Sequence, residues 1–264
     1  MNKADESYKF TTSLFNSFRK SILDDIEKSK YKNSLKAIYR QQEKLSAMAN
    51  SFDSILLQSD HFYIIQMMTR SAIEYYILGH YIFSKAVDTE DDLVGREFYI
   101  EYFVSEFFKR QNYELGVEGI EGNLKNNISF SNLKKKHPEL ATLTEKDLHD
   151  VHTIANQFDI RNMLKYLLHA PKKRKDHFKE VNNLLLKALL EYSDLSSYVH
   201  GGPSSEAQAF DNIPITDKEK RVKDCVEMVK IYARSMKENV FMLFGQYDVR
   251  YFNAFSLILD YRNR

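Results

Sequence analysis

Arg70 and Glu74 stand four residues apart in the stretch Met68-Thr69-Arg70-Ser71-Ala72-Ile73-Glu74-Tyr75. On a helix turning about 100° per residue they lie about 40° apart, on the side that also carries Tyr63, Met67, Ile77, Leu78 and Tyr81. A charge on an apolar face is expensive unless it is paired and hydrogen-bonded. The two groups can pair, but one carboxylate cannot fill all the donors of a guanidinium. Something further must come to Arg70.

A second set of chemical groups closes a later segment, Tyr192-Ser193-Asp194-Leu195-Ser196-Ser197-Tyr198-Val199-His200-Gly201-Gly202. Ser193, Ser196, Ser197, Leu186 and Leu189 all fall within about 60° of His200 around the helix, while Glu191 and Asp194 point elsewhere. His200 is therefore predicted to continue an inward face, in a last turn whose dipole favours the imidazolium form. Two readings follow. Arg70 holds an anion such as phosphate, His200 is a general acid or base, and Glu74 orients one of them. Alternatively, the same residues form a buried polar network that fixes how two helices pack.

The elements that must position these residues are helical. Glycine is 8 and proline 4 of 264 residues, and neither occurs before Gly79. That scarcity argues against turn-rich sandwiches, barrels and Gly-looped nucleotide folds. Residues 4–52 read as one or two long helices, 56–87 as a third with a strong apolar stripe, and 92–113 as another dense in Phe and Tyr. The glycines of GVEGIEG (116–122) mark a break. A helix over 144–169 opens with Thr144. Pro171 and the run KKRK (172–175) form a second break. A helix over 177–200 stops at Gly201-Gly202-Pro203. A helix over 217–245, opened by Asp217, and a short terminal segment complete the chain. The fold class is all-α. The whole chain, 1–264, reads as a single helical domain, a bundle with 116–175 as an inserted, more polar and more mobile helical lobe.

The Arg-x3-Glu helix and the late Ser/Tyr-rich helix ending in His resemble a group of bacterial all-helical domains. The matching residues are Arg70, Glu74, Ser197, Tyr198 and His200, over roughly 55–90 and 180–205. Such domains are similar to the helical defence and toxin ribonucleases of the higher eukaryote and prokaryote nucleotide-binding type. There an Arg and a His cleave RNA without metal, usually across a homodimer. The resemblance implies catalytic roles for Arg70, Glu74 and His200, and substrate contacts from Ser193, Ser196, Ser197 and Tyr198. It implies no cofactor and no metal. The chain departs from that pattern, because those enzymes place Arg and His four to six residues apart on one helix. Here Arg161 and His169 are too far apart and Arg174 and His177 too close.

Other signals are weaker. Glu145, His149 and His152 share a helical face that suits a metal ion or, more simply, water. Lys134–Lys136 and Lys172–Lys175 suit phosphates. The aromatic run at 98–108 suits packing on two sides, for which a homodimer seam is one solution. Cys225 follows an apolar pattern and reads as core. His61 and His80 fall off the face of Arg70 and read as surface or interface residues. No HExxH, CxxC, P-loop or GxSxG occurs.

With 38 basic and 37 acidic residues the net charge is +1, so no global field draws the chain to nucleic acid or membrane. The N-terminus lacks a secretory apolar region, no 18-residue uncharged window exists, and the lone cysteine excludes an internal disulfide. The chain reads as cytoplasmic. Two functions stand: an RNA- or nucleotide-processing protein of a bacterial antiviral defence or toxin system, such as a ribonuclease, or a non-enzymatic helical interaction or regulatory module. Its partners would be RNA or a nucleotide, a second copy in a homodimer, or a protein of the same operon.

Overall fold

In the first 78 residues, which hold no glycine or proline, a side chain can end a helix by taking over backbone groups. In the computed structural model, which describes residues 3–55, 61–121, 130–144, 147–169, 179–200 and 214–263, this happens at Ser29. Helix α1 (Lys3–Ile26) ends there and α2 (Lys32–Ile55) begins, because the Ser29 hydroxyl accepts from the Tyr31 amide at 2.9 Å. The other elements are α3 (Phe62–Thr89), α4 (Leu93–Glu121), α5 (Phe130–Lys136), a 3-10 turn (Pro138–Leu140), α6 (Leu148–Gln157), α7 (Ile160–Leu168), α8 (Lys179–His200), α9 (Ile215–Gly245) and α10 (Val249–Asn263). No strand occurs among the described residues. The protein is an all-α bundle. No described helix is long and apolar enough to cross a membrane.

Helices α2, α3 and α9 pack mutually and form the centre. They meet at Gly79, where a Cβ would lie 2.5 Å from the Met236 sulfur and 3.4 Å from Gln41 Cβ. Around this crossing Tyr76 stacks on Tyr232 with centroids 4.3 Å apart, and His80 lies against Tyr76. Helices α1 and α10 cover α9 on one side, α7 and α8 cover α3 on the other, and α4 lies on α2 and carries α6.

Several expectations need correction. Helix α4 runs through Gly116 and Gly119 to Glu121, since glycine weakens a helix by only about 1 kcal/mol and does not forbid it. The helix expected over 144–169 is two. Asp159 caps α7 by accepting from the Arg161 amide at 2.9 Å. Thr144 opens nothing, because it donates to Asp147, the residue before α6. Helix α7 places Met163, Leu164 and Leu167 in the core. The long C-terminal helix starts at Ile215, behind Pro214. His80 is buried, with the Asn239 amide nitrogen 3.2 Å from its Nδ1. It was misplaced because α3 is covered on several sides, not only along the face of Arg70. Cys225 is buried, as the apolar pattern predicts. The stop at 201–203 and the run 172–175 lie outside the described residues.

The turn between α3 and α4 reaches back to α2. Asp92 accepts from the amides of Asn33 (2.8 Å) and Ser34 (2.7 Å), two donors in the first turn of α2. Gly95 lets the two backbones meet. A Cβ there would fall 2.1 Å from Ser34 N. Gly95→Ala is therefore expected to cost about 3 kcal/mol, as overpacking against backbone does. Gly116→Ala, where a Cβ meets nothing, should gain about 0.5–1 kcal/mol. Urea unfolding followed by circular dichroism at 222 nm checks both.

Candidate functional site

Helices α3 and α8 run antiparallel, held at two points. The Tyr63 hydroxyl donates to the Tyr198 carbonyl at 2.6 Å, and two turns further along α3 Arg70 Nη2 donates to the Tyr192 hydroxyl at 2.9 Å. The further group that Arg70 needs is thus Tyr192. Arg70 Nη1 pairs with Glu74 Oε1 at 2.9 Å, and the Tyr192 hydroxyl donates to that same oxygen at 3.2 Å. The guanidinium also lies over the Tyr192 ring, 4.8 Å from its centroid. One phenol therefore accepts from the cation, donates to the anion and stacks on the cation. Burial pushes its pKa up, with the Glu74 charge adding to the effect, so it remains the protonated donor that Glu74 requires.

Arg70 is largely enclosed, at 13% side-chain exposure, while Glu74 reaches water at the edge. Arg70 Nε is buried without a hydrogen-bond partner among the described residues. The triad joins two helices, and its donors and acceptors face one another.

His200 lies elsewhere. It is the exposed last residue of α8, eight residues beyond Tyr192, which is about 12 Å of helix rise. The partners of Arg70 are Glu74 and Tyr192, and no described contact joins Arg70 to His200. The expected inward face of α8 is in fact the outward one. Leu186, Leu189, Leu190, Ser193 and His200 are exposed, whereas Leu185, Ala188, Leu195 and Tyr198 are buried. The cause is the leucine cluster at 184–186 and 189–190, which makes α8 apolar on two sides. The small Ala188 and the two tyrosines with partners on α3 select which side packs. Tyr192, on the same side as Ala188 and Leu195, was the readable sign.

The remaining candidates divide similarly. Tyr198 is 1% exposed and its ring packs against Phe62 and Tyr63, so it serves the helix contact. Ser196 and Ser197 are half-buried, and Ser197 donates to the Asp194 carbonyl of its own helix. The Cys225 thiol is pushed up by burial and sits beside Gln66, which also accepts from Arg221 Nε at 3.1 Å. A thiol so placed is not a nucleophile. Lys134 folds back onto the Leu143 carbonyl. Glu145 and the side chains of His149 and His152 lie outside the described residues. Among the described residues no group of three or more His, Cys, Asp and Glu is arranged to hold a metal.

Compared with protein families, with curated proteins and with solved structures, the chain matches none.

Removing the Tyr192 hydroxyl leaves a buried donor of Arg70 unanswered. Tyr192→Phe is expected to cost about 1–2 kcal/mol. In an Arg70→Met/Tyr192→Phe cycle the two changes should couple rather than add. His200→Ala, at an exposed helix end, should stay within about 0.5 kcal/mol of the parent. Equilibrium urea unfolding of the parent and the four variants measures all three.

Proposed function

We propose that this protein is a helical interaction module that self-associates through the outer face of α8, and that the Arg70–Glu74–Tyr192 triad holds that helix in register. The observation that carries the reading is the exposed stripe of Leu186, Leu189 and Leu190, the last 71% exposed, on a helix whose opposite side buries Leu185, Ala188, Leu195 and Tyr198. Leu186, Leu189, Ser193, Ser196 and His200 recur at intervals of three and four, the spacing with which one helix lies along another. The serines let a neighbouring backbone approach.

The occupant is a second copy of the same chain. Lys187 and Asp194 stand on one edge of the stripe, three residues before Leu190 and four after it, and both are exposed. Two antiparallel α8 helices crossing near Leu190 bring each lysine opposite the aspartate of the other copy, an isologous arrangement that closes at a dimer. A net charge of +1 offers little long-range repulsion. One helix pair over about four turns buries less than a typical stable interface, so the affinity belongs in the micromolar range.

The RNA- or nucleotide-processing reading retains one supporting feature. His200 and Ser193 are exposed on the same face of α8, where a phosphate can reach the imidazole. It lacks the cation, because Arg70 is engaged two turns away.

Sedimentation velocity from about 5 to 200 µM is expected to show a monomer–dimer equilibrium. Leu190→Glu should shift it to monomer without loss of helix. Lys187→Glu should weaken association about tenfold, and Lys187→Glu with Asp194→Lys should restore it. A parent chain that stays monomeric throughout overturns the reading. Cleavage of single-stranded RNA by the parent but not by His200→Ala would favour the enzyme instead.

A further inference from the structure

The central helix α9 carries a lysine where its apolar stripe is most deeply buried. Lys237, next to Met236 at the three-helix crossing, is 1% exposed. Its Nζ donates to Ser46 Oγ of α2 at 2.8 Å and lies 4.7 Å from the centroid of the Tyr8 ring of α1. An ammonium has three donors and needs a counter-charge when buried. No carboxylate among the described residues pairs with it. The carboxylate lining the same space, Glu43, is held at the mouth by Arg19 at 3.2 Å.

That space is a cleft of about 350 Å³ between α1 and α2, with Lys237 at its inner end. The volume is at the small end of the range for small-molecule sites. Its walls carry amides and hydroxyls from Thr12, Asn16, Gln42, Ser46 and Asn50, and apolar surface from Phe15. Thr12 Oγ1 is buried and has no hydrogen-bond partner among the described residues. A buried cation without an anion, an unanswered hydroxyl and a polar cleft in one place are the complement of a missing ligand.

We infer that the cleft between α1 and α2 binds a small monocarboxylate, with Lys237 as its counter-charge and Ser46, Thr12 and the wall amides as its neutral donors. The charge match sets the class. One uncompensated cation balances one negative charge, whereas a phosphate dianion would need a second, and Arg19 is committed to Glu43. The aromatic wall accommodates the apolar part of an organic acid. Nothing in this site depends on the face of α8.

Burial alone lowers the Lys237 pKa to about 7. A carboxylate binds the ammonium form and restores its charge, so binding takes up a proton. The other titratable groups lining the cleft are Tyr8 and Arg19 from α1 and Tyr39 and Glu43 from α2. Phenols, guanidinium and carboxylates ordinarily titrate outside pH 6–8.5, and burial pushes Tyr39 further up. Lys237 therefore governs the pH dependence in that window.

The test is calorimetric titration of the full chain with acetate, propionate, benzoate and 4-hydroxybenzoate, with benzamide and phenyl phosphate as controls. At least one of the four acids is expected to bind about thirtyfold more tightly at pH 6 than at pH 8.5, the ratio of ammonium populations for a pKa near 7. Heats measured near pH 8 in buffers of different ionisation enthalpy should report proton uptake. Benzamide should not bind, and phenyl phosphate should bind more weakly than benzoate. Lys237→Met should abolish binding while raising the unfolding temperature at pH 7, because it removes a desolvated amine and keeps the volume. Thr12→Val should weaken binding several-fold with the fold intact. No binding of any of the four acids at pH 6, equal binding of benzamide, or undiminished binding by Lys237→Met overturns the inference.

Discussion

The architecture depends on how closely α2, α3 and α9 approach one another at Gly79. The Met236 sulfur sits against the bare Cα there, and Gln41 packs from the third side. Around this crossing Tyr76 stacks on Tyr232, His80 meets Asn239, and the residue after Met236 reaches Ser46. The remaining helices are added around that centre, and the chemistry at the periphery inherits its register. Aromatic side chains fill much of the space, as the stacked pairs Phe10–Tyr261 and Phe244–Tyr251 illustrate along α1, α9 and α10.

Several polar groups join one helix to another. The Tyr192 phenol ties α8 to α3 through both members of an ion pair. Asp25 ties α1 to α10 by accepting from Arg250 and from the Tyr251 hydroxyl, each at 2.8 Å. Such links add little individually, but their geometry excludes neighbouring registers, which apolar packing alone discriminates poorly.

The helices were legible in the sequence because uninterrupted apolar periodicity over twenty or more residues leaves few alternatives. That Arg70 and Glu74 belong together was legible from their spacing, and that a third group must join them followed from counting donors. Which group would do so was not. The leucines at 184–190 mark two faces of α8 as apolar, and periodicity cannot choose between them. The choice rests on Ala188, Tyr192 and Tyr198 meeting residues more than a hundred positions away. The division of 144–169 was also hidden, since no glycine or proline signals it and Asp159 reveals its capping role only once the backbone turns. Lys237 was overlooked because a single lysine in a long helix ordinarily faces water. Its neighbours Met236, Val240 and Phe241 show that this one does not.

The carboxylate of Asp92 has a consequence in time. It occupies two amides at the start of α2, yet it enters the chain nearly sixty residues after them. While the ribosome is still extending α3, the beginning of α2 has only water to answer those donors. The start of α2 therefore receives its side-chain cap from a residue made well after it. The closing of that cap joins the beginning of the chain to the turn after α3.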